Sequence, residues 1–320
     1  LDFRRQRQMC IRDRYLATNN FFVRGSIGTS FTAPSMAQMF SSDIRLGSVR
    51  DINDSPFVRL ALLGNPGLKP ASSENQSFGF VWNFSSSVDL TLDYWAIDYK
   101  DRIQVQSPQV LLSNNPFAPS ITRNQFGELI AVSTSYFNEE KTNVSGIDVE
   151  LNFFRATKFG NLDYSIKATQ LSKFLTPEFI NEENSEIGST MINRVGKFNY
   201  DANTHSLPKL RLNTFLNFEF NKIFFGINSR YIQGFSNERE IPTSAVELGY
   251  SNEIKSFLVH DFSITKIFQS SRGEIQIGLG IINAFDKQAP LLFDAPDFSF
   301  DTRTHEPRGR LINLSAEFNF

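Results

Sequence analysis

Apolar residues recur at every second position along much of this chain, and that alternation constrains the fold more than any other feature. A period of two marks a strand whose faces meet different surroundings, because successive side chains of an extended backbone point to opposite sides. Near the end, Ile312, Leu314, Ala316, Phe318 and Phe320 alternate with Asn313, Ser315, Glu317 and Asn319. Between Pro208 and Phe220, the residues Leu210, Leu212, Thr214, Leu216, Phe218 and Phe220 share one face, with Arg211, Asn213, Asn217 and Glu219 on the other. Ile147 to Phe153, Leu162 to Ala168, Phe78 to Phe84, Leu90 to Ala96 and Ile275 to Ile281 repeat the pattern, and weaker versions run near Phe22 to Phe31, Ile223 to Gly234 and Phe257 to Phe268. That gives about ten strands.

The links between strands alternate in length. They are short at Ser85 to Ser87, Arg155 to Gly160, Asn221 to Lys222 and Gln269 to Gly273, and long at Thr32 to Asn75, Asp101 to Thr142, Ser172 to Leu207, Phe235 to Lys255 and Asn283 to Gly309. Outer-membrane barrels have this asymmetry, with tight periplasmic turns and extended extracellular loops. If the last strand finishes at the periplasm, ten strands put every short turn on that side. A separate spanning strand at Leu129 to Phe137 would invert the turns on one side of it, so that piece is expected in an extracellular hairpin. The apolar run Phe57 to Leu63 falls in a long loop, where it is expected to fold against a neighbouring loop or the barrel rim.

Composition decides between a barrel and a soluble fold. Phenylalanine contributes 33 residues, yet hydrophobic residues total only 40% and the mean hydropathy is −0.26. A soluble enzyme rarely combines these values. A lipid-embedded barrel does, because only alternate strand residues face hydrocarbon and aromatic girdles mark the interfaces. No stretch approaches the roughly 18 to 20 consecutive apolar residues that a membrane-spanning helix needs. A net charge of −2 gives no electrostatic ground for a nucleic-acid partner. Cys10 is the sole cysteine, which excludes a disulfide framework and a cysteine-based zinc site.

Residues 1–14 differ in style from the rest of the chain. The run Arg4 to Arg14 is basic, and the segment is expected to be a non-native leader, with 15–320 forming the native part. Neither an export signal nor an initiating methionine is visible, so the true N-terminus is expected upstream.

Three stretches together resemble the TonB-dependent receptors of the bacterial outer membrane. Gly25-Ser26-Ile27-Gly28-Thr29-Ser30-Phe31-Thr32-Ala33-Pro34-Ser35 is similar to the family's strand ending in Phe-Arg-Ala-Pro, with Thr32 in place of Arg. Asn65-Pro66-Gly67-Leu68-Lys69-Pro70 is similar to its Asn-Pro-x-Leu-Lys-Pro-Glu segment, with Ala71 in place of Glu. Asn283-Ala284-Phe285-Asp286 is similar to Asn-Leu-Phe-Asp, and Pro307-x-Gly309-Arg310 leads into the last strand. The resemblance implies an all-β chain: an antiparallel transmembrane β-barrel fragment, about ten strands of a barrel of about 22, left as an open curved sheet. It also implies an N-terminal plug and a further barrel half beyond this sequence. Energy would come from the TonB complex through that plug, and the ligand would be an iron-siderophore complex, haem, cobalamin or an oligosaccharide. The rivals are a passive porin-like channel or ligand-binding barrel without energised transport, and a soluble all-β lectin or enzyme.

The remaining expectations concern individual residues. Phe318 and Phe320 form a terminal aromatic signal for the barrel-assembly machinery, read by strand addition. Asp93, Asp148, Glu150, Asp163, Lys167, Arg211, Glu219, Arg230, Asp261 and Glu317 should face the barrel lumen, solvating it and meeting the plug. The histidines His205, His260 and His305 form no ligand pair, and His305-Glu306 is expected as a solvated pair in an extracellular loop. Ser206-Leu207-Pro208-Lys209 has the spacing of acyl-serine enzymes, but Pro208 opposes the helix that their mechanism needs. There is no phosphate-binding loop or nucleophile elbow. An enzyme, a metal site and a bound cofactor are not expected.

Overall fold

The computed structural model describes residues 10–52, 54–177, 191–199, 206–238, 240–271, 273–293, 295 and 298–319. In chain order the strands are β1 (Cys10–Thr18), β2 (Phe21–Thr32), β3 (Ser42–Ser48), β4 (Phe57–Leu63), β5 (Ala71–Ser85), β6 (Val88–Val105), β7 (Ile121–Arg123), β8 (Leu129–Thr157) and β9 (Gly160–Pro177). They continue as β10 (Met191–Asn193), β11 (Leu210–Phe220), β12 (Ile223–Ile232), β13 (Phe235–Ser236), β14 (Glu253–Ile254), β15 (Phe257–Ser270), β16 (Gly273–Ile282) and β17 (Leu311–Asn319). Among the described residues three short helices, α1 (Met36–Phe40), α2 (Pro108–Asn114) and α3 (Thr243–Glu247), lie in the long links.

The main sheet runs β1-β2-β5-β6-β8-β9-β11-β12-β15-β16-β17, each strand antiparallel to the next. This is an up-and-down meander, and it is the arrangement in which a chain in hydrocarbon satisfies its backbone donors and acceptors between neighbours. The sheet is open: among the described residues β1 and β17 pair with β2 and β16 and not with each other.

Ten of these path strands are those read from alternation. The eleventh is β1, whose ladder runs from Cys10 opposite Gly28 to Thr18 opposite Phe21, so the expected leader boundary at 14 falls inside a strand. Leu129 to Phe137 adds no spanning strand, as expected. It is the upper part of β8, a strand of 29 residues, and forms a hairpin with the short β7 through Ile121 opposite Val132. Strand parity is preserved because the piece prolongs a spanning strand and adds none.

The short turns collect at one end of the sheet. Asn221 and Lys222 both have positive φ, 49° and 61°, which gives a two-residue turn whose twist matches the flanking strands. Around this end lie outward-facing aromatics. Phe21 meets Phe80 at 5.5 Å and Trp82 edge-on at 6.2 Å, and Trp82 stacks on Phe84 at 3.9 Å. Phe220, Phe225, Phe268 and Phe318 continue the band and are exposed in the isolated chain, as expected for an interfacial aromatic girdle. Phe318 stands opposite Ile275; Phe320 lies outside the described residues.

Above the girdle the same face carries Ile27, Phe78, Ile264, Ile277, Leu279, Ile312 and Leu314, all exposed, with Leu314 reaching 78%. Buried hydrophobic residues instead concentrate at the long-loop end. One cluster joins Val49, Val58, Leu60, Leu112, Ile121, Leu129 and Val132; the other joins Phe198, Phe235, Ile254 and Leu292. This inverts a soluble protein, in which strand faces fill the core.

Candidate functional site

The opposite face of the sheet is polar, and its side chains meet across strands. Arg24 on β2 donates to both carboxylate oxygens of Asp93 on β6, its Nε lying 2.8 Å from Oδ1. The two strands are not neighbours. Gly79 on β5 stands between them, directly opposite both Arg24 and Asp93, and a β-carbon there would lie 2.1 Å from Asp93 Oδ1. The missing side chain is the passage through which the arginine reaches.

Asp93 is in turn opposite Asp148 on β8. Like charges at that spacing repel, and each is compensated separately: Asp93 by Arg24, and Asp148 by the Thr169 hydroxyl, which donates at 2.7 Å. Glu150 pairs with Lys167 at 3.0 Å and accepts from Asn152 Nδ2 at 3.3 Å. Asp89, at the turn end of the same row, accepts from Asn152 at 3.0 Å.

A second group lies on β12 and β15. Asp261 accepts from Arg230 at 3.1 Å, from Asn228 at 3.1 Å and from the Asn283 backbone N–H at 2.8 Å. The other expected residues are dispersed. Asp163 is opposite Asn217, Arg211 opposite Thr169, and Glu219 accepts from Asn161 at 3.3 Å near the short-turn end. Glu317 is opposite Gln276 in the outermost pair of strands. Arg24 was missed at the level of sequence, although its even position among Phe22, Ser26 and Gly28 puts it on this face.

At the long-loop end the three family-like stretches have mechanical roles. The Ser35 hydroxyl accepts from the Gln38 N–H at 3.2 Å while the Gln38 side chain accepts from the Ser35 N–H at 2.8 Å, capping α1. Asn65 donates from Nδ2 to the Tyr136 carbonyl at 2.9 Å and accepts the Gly67 N–H at 2.8 Å. Lys69 is clamped by Asn138, which accepts its N–H at 2.8 Å and donates to its carbonyl at 2.9 Å and to that of Asp101 at 2.8 Å. Asn283 closes a turn on Lys287 with bonds of 2.8 and 2.9 Å, and Asp286 accepts the Arg310 N–H at 2.9 Å. That last bond joins the two ends of the 283–310 loop. Gly309, with φ of 60°, fits there because a β-carbon would sit 2.8 Å from Asp286 Oδ1.

The run Phe57 to Leu63 is β4, antiparallel to β3 and parallel to upper β8. Its Val58 and Leu60 enter the first loop cluster. Beside that cluster Arg123 grips Asp51 with two bonds of 2.7 Å and lies 5.3 Å from the Phe117 ring. The guanidinium holds the Asp51 carboxyl below its ordinary range. In the second cluster His305 is 3% exposed. The expected solvated pair with Glu306 is therefore corrected: the ring is interior, and Glu306 pairs with Arg308 at 2.9 Å. The difference arises because the loop folds back and seats the ring between Phe235 and Phe257. His260 bonds the Ser229 hydroxyl at 2.7 Å, and His205 lies outside the described residues.

Among the described residues no group of three or more His, Cys, Asp or Glu is arranged to hold a metal ion. What remains is a polar, ion-paired wall below two structured loop clusters.

Comparison with known proteins gives this arrangement a context. A family model described as TonB dependent receptor-like, beta-barrel, matches residues 14–284. No curated protein matches the sequence. Among solved structures, the siderophore receptor PirA from Acinetobacter baumannii is 17% identical with a TM-score of 0.62, covering 98% of this chain and 41% of its own. A variant of the ferric enterobactin receptor PfeA from Pseudomonas aeruginosa, in complex with enterobactin, is 17% identical with a TM-score of 0.60, covering 96% and 40%. The copper transporter OprC is 14% identical with a TM-score of 0.54, covering 97% and 39%. The chain thus spans about two fifths of the length of the solved proteins it matches.

Proposed function

Because the chain belongs to the TonB dependent receptor-like β-barrel family, we propose that it is the C-terminal part of an outer-membrane barrel that takes up a scarce ligand with TonB-derived energy. The observation that carries this reading is the sheet's division into an exposed apolar face with an aromatic band and a polar face with cross-strand ion pairs. Lipid suits the first and a hydrated lumen the second. On this reading Asp93, Asp148, Glu150, Lys167, Arg211, Glu219, Arg230 and Glu317 face the lumen, where they solvate the interior and hydrogen-bond the plug. The loops above bind ligand noncovalently. No catalytic step is involved.

The partners follow from the same reading: a plug and barrel half outside this sequence, the TonB complex acting through the plug, outer-membrane lipid, and the assembly machinery that reads Phe318 and Phe320. That residues 1–14 are a foreign leader is part of this reading, although Cys10 to Arg14 pair with β2; the genomic sequence upstream of Tyr15 tests it. A siderophore receptor and a copper transporter among the similar structures make a metal complex the first ligand class to try, ahead of haem, cobalamin and oligosaccharides.

The test is uptake of labelled ferric siderophores by cells producing the full-length protein, with and without a functional TonB system. Uptake lost with TonB supports the proposal. Uptake that persists without TonB and does not saturate identifies the passive channel instead, and a soluble, heat-insensitive monomer ends both.

A further inference from the structure

His305 is a buried titratable group that the proposed transport does not use. Its ring stacks against Phe235 at 6.0 Å and meets Phe257 edge-on at 5.2 Å, in the cluster formed by Phe198, Phe235, Ile254 and Leu292. Among the described residues neither ring nitrogen has a hydrogen-bond partner. Within the segment carrying it, the Leu292 N–H bonds the Ser299 carbonyl at 2.8 Å and the His305 N–H the Asp301 carbonyl at 2.9 Å. Its attachment to the rest of the loop end includes apolar packing through Leu292 and His305 and a bond from Asn237 to the Phe293 carbonyl at 3.0 Å.

We propose that His305 is an acid-sensitive latch: the neutral ring seats the turns at residues 291–293 and 298–306 against β13 and the start of β15, and a protonated ring expels them. A neutral imidazole behaves here as an aromatic wedge, whereas an imidazolium in this seat would be a buried cation with neither N–H bonded among the described residues. The surrounding charges do not rescue it. Asp301 on the same segment favours the cation and Arg211 on β11 opposes it, and burial is the largest influence, holding the ring's proton affinity below that of an ordinary histidine. Glu306 is engaged by Arg308 and influenced by Arg230 on β12. Lys197, on the segment beside β13, pairs with Glu238 at 2.6 Å, and Glu253 on β14 and the adjacent Lys255 are exposed.

Released, the ring titrates near its ordinary value of 6.5; seated, it titrates lower. The seat is therefore fully stable above that value and weakens as pH falls below it, by at most about tenfold per pH unit. That the released segment opens a ligand entrance rests on the transport reading; the latch itself does not.

Hydrogen exchange of the full-length protein in detergent, corrected for intrinsic rates, tests it at pH 7.5 and 5.5. Protection of the Leu292, Thr304 and His305 amides is expected to fall by up to tenfold in the native protein and to stay level in His305→Phe. Unchanged native protection, or an equal fall in the phenylalanine variant, overturns the latch. If that variant is unprotected at both values, Asp301→Asn decides at pH 4.5, because losing that charge lowers the seated titration and leaves the released one in place: a deeper loss of protection than in the native protein supports the latch, and an equal or shallower loss overturns it. Because the readout is loop protection and not uptake, a failed latch leaves the transport reading standing, and a receptor that transports nothing still reports on the latch.

Discussion

Arg24 and Asp93 show how much a residue's role depends on the strand between its partners. With side chains 39% and 20% exposed, the pair should contribute about 1 kcal/mol, near the upper end for such contacts, and a double-mutant cycle on thermal unfolding of the full-length barrel measures it. Gly79→Val should cost more than either partner's loss, because the new side chain collides with Asp93 and the Leu92 carbonyl. The Arg123–Asp51 fork is better shielded, at 12% and 8%. Replacing Arg123 by alanine should weaken the first loop cluster by about 2–3 kcal/mol, and lysine should restore little because it cannot fork. Since Arg123 depresses the Asp51 titration, this stability is present above the ordinary carboxylate value of about 3.9 and is lost as pH falls below it. Proteolysis of the 106–128 loop at graded acidity would follow the loss.

Strands were the most legible level of the sequence, and the reason is physical. Leu216 and Asn217 are adjacent in β11, and the period of two alone assigns them to opposite faces. An arginine in place of Leu216 should cost about 2–4 kcal/mol in assembled barrel if the site lies near the bilayer midplane, and one in place of Asn217 should cost little. Heat-modifiable gel mobility distinguishes the two, and equal losses would refute the assignment of faces. What alternation did not reveal depends on distant partners. Upper β8 is extended because β4, some seventy residues earlier, lies parallel to it from Arg59 opposite Ala131 to Leu63 opposite Ser135. β1 lacks a clean apolar face, and its pairing with β2 is visible only in the ladder. The burial of His305 follows from the folding of a whole loop, and the pair His305-Glu306 by itself suggests solvent. The polar face was legible as a set of charges, but the pairing of Arg24 across Gly79 required the register.

At the scale of the molecule, an open meander with β1 and β17 at its edges cannot shield its outermost backbone groups from lipid. Produced alone and refolded in detergent, these 320 residues are expected to associate through those edges and to show no heat-resistant band. Co-production with the plug and barrel half proposed above should restore one, and a stable monomer of these residues alone would contradict this. The two loop clusters rest on rim contacts that do not involve the loop tips: Asn138 holds Lys69 and Asp101, and Asp286 holds Arg310. Each excursion is thus closed at its foot before its sequence is specified. The loop between Asp286 and Arg310 is thus anchored independently of its tip, so on the proposed transport reading it is a cassette whose exchange between barrels keeping the same asparagine and aspartate at the base is expected to change the ligand held and leave the wall beneath it folded.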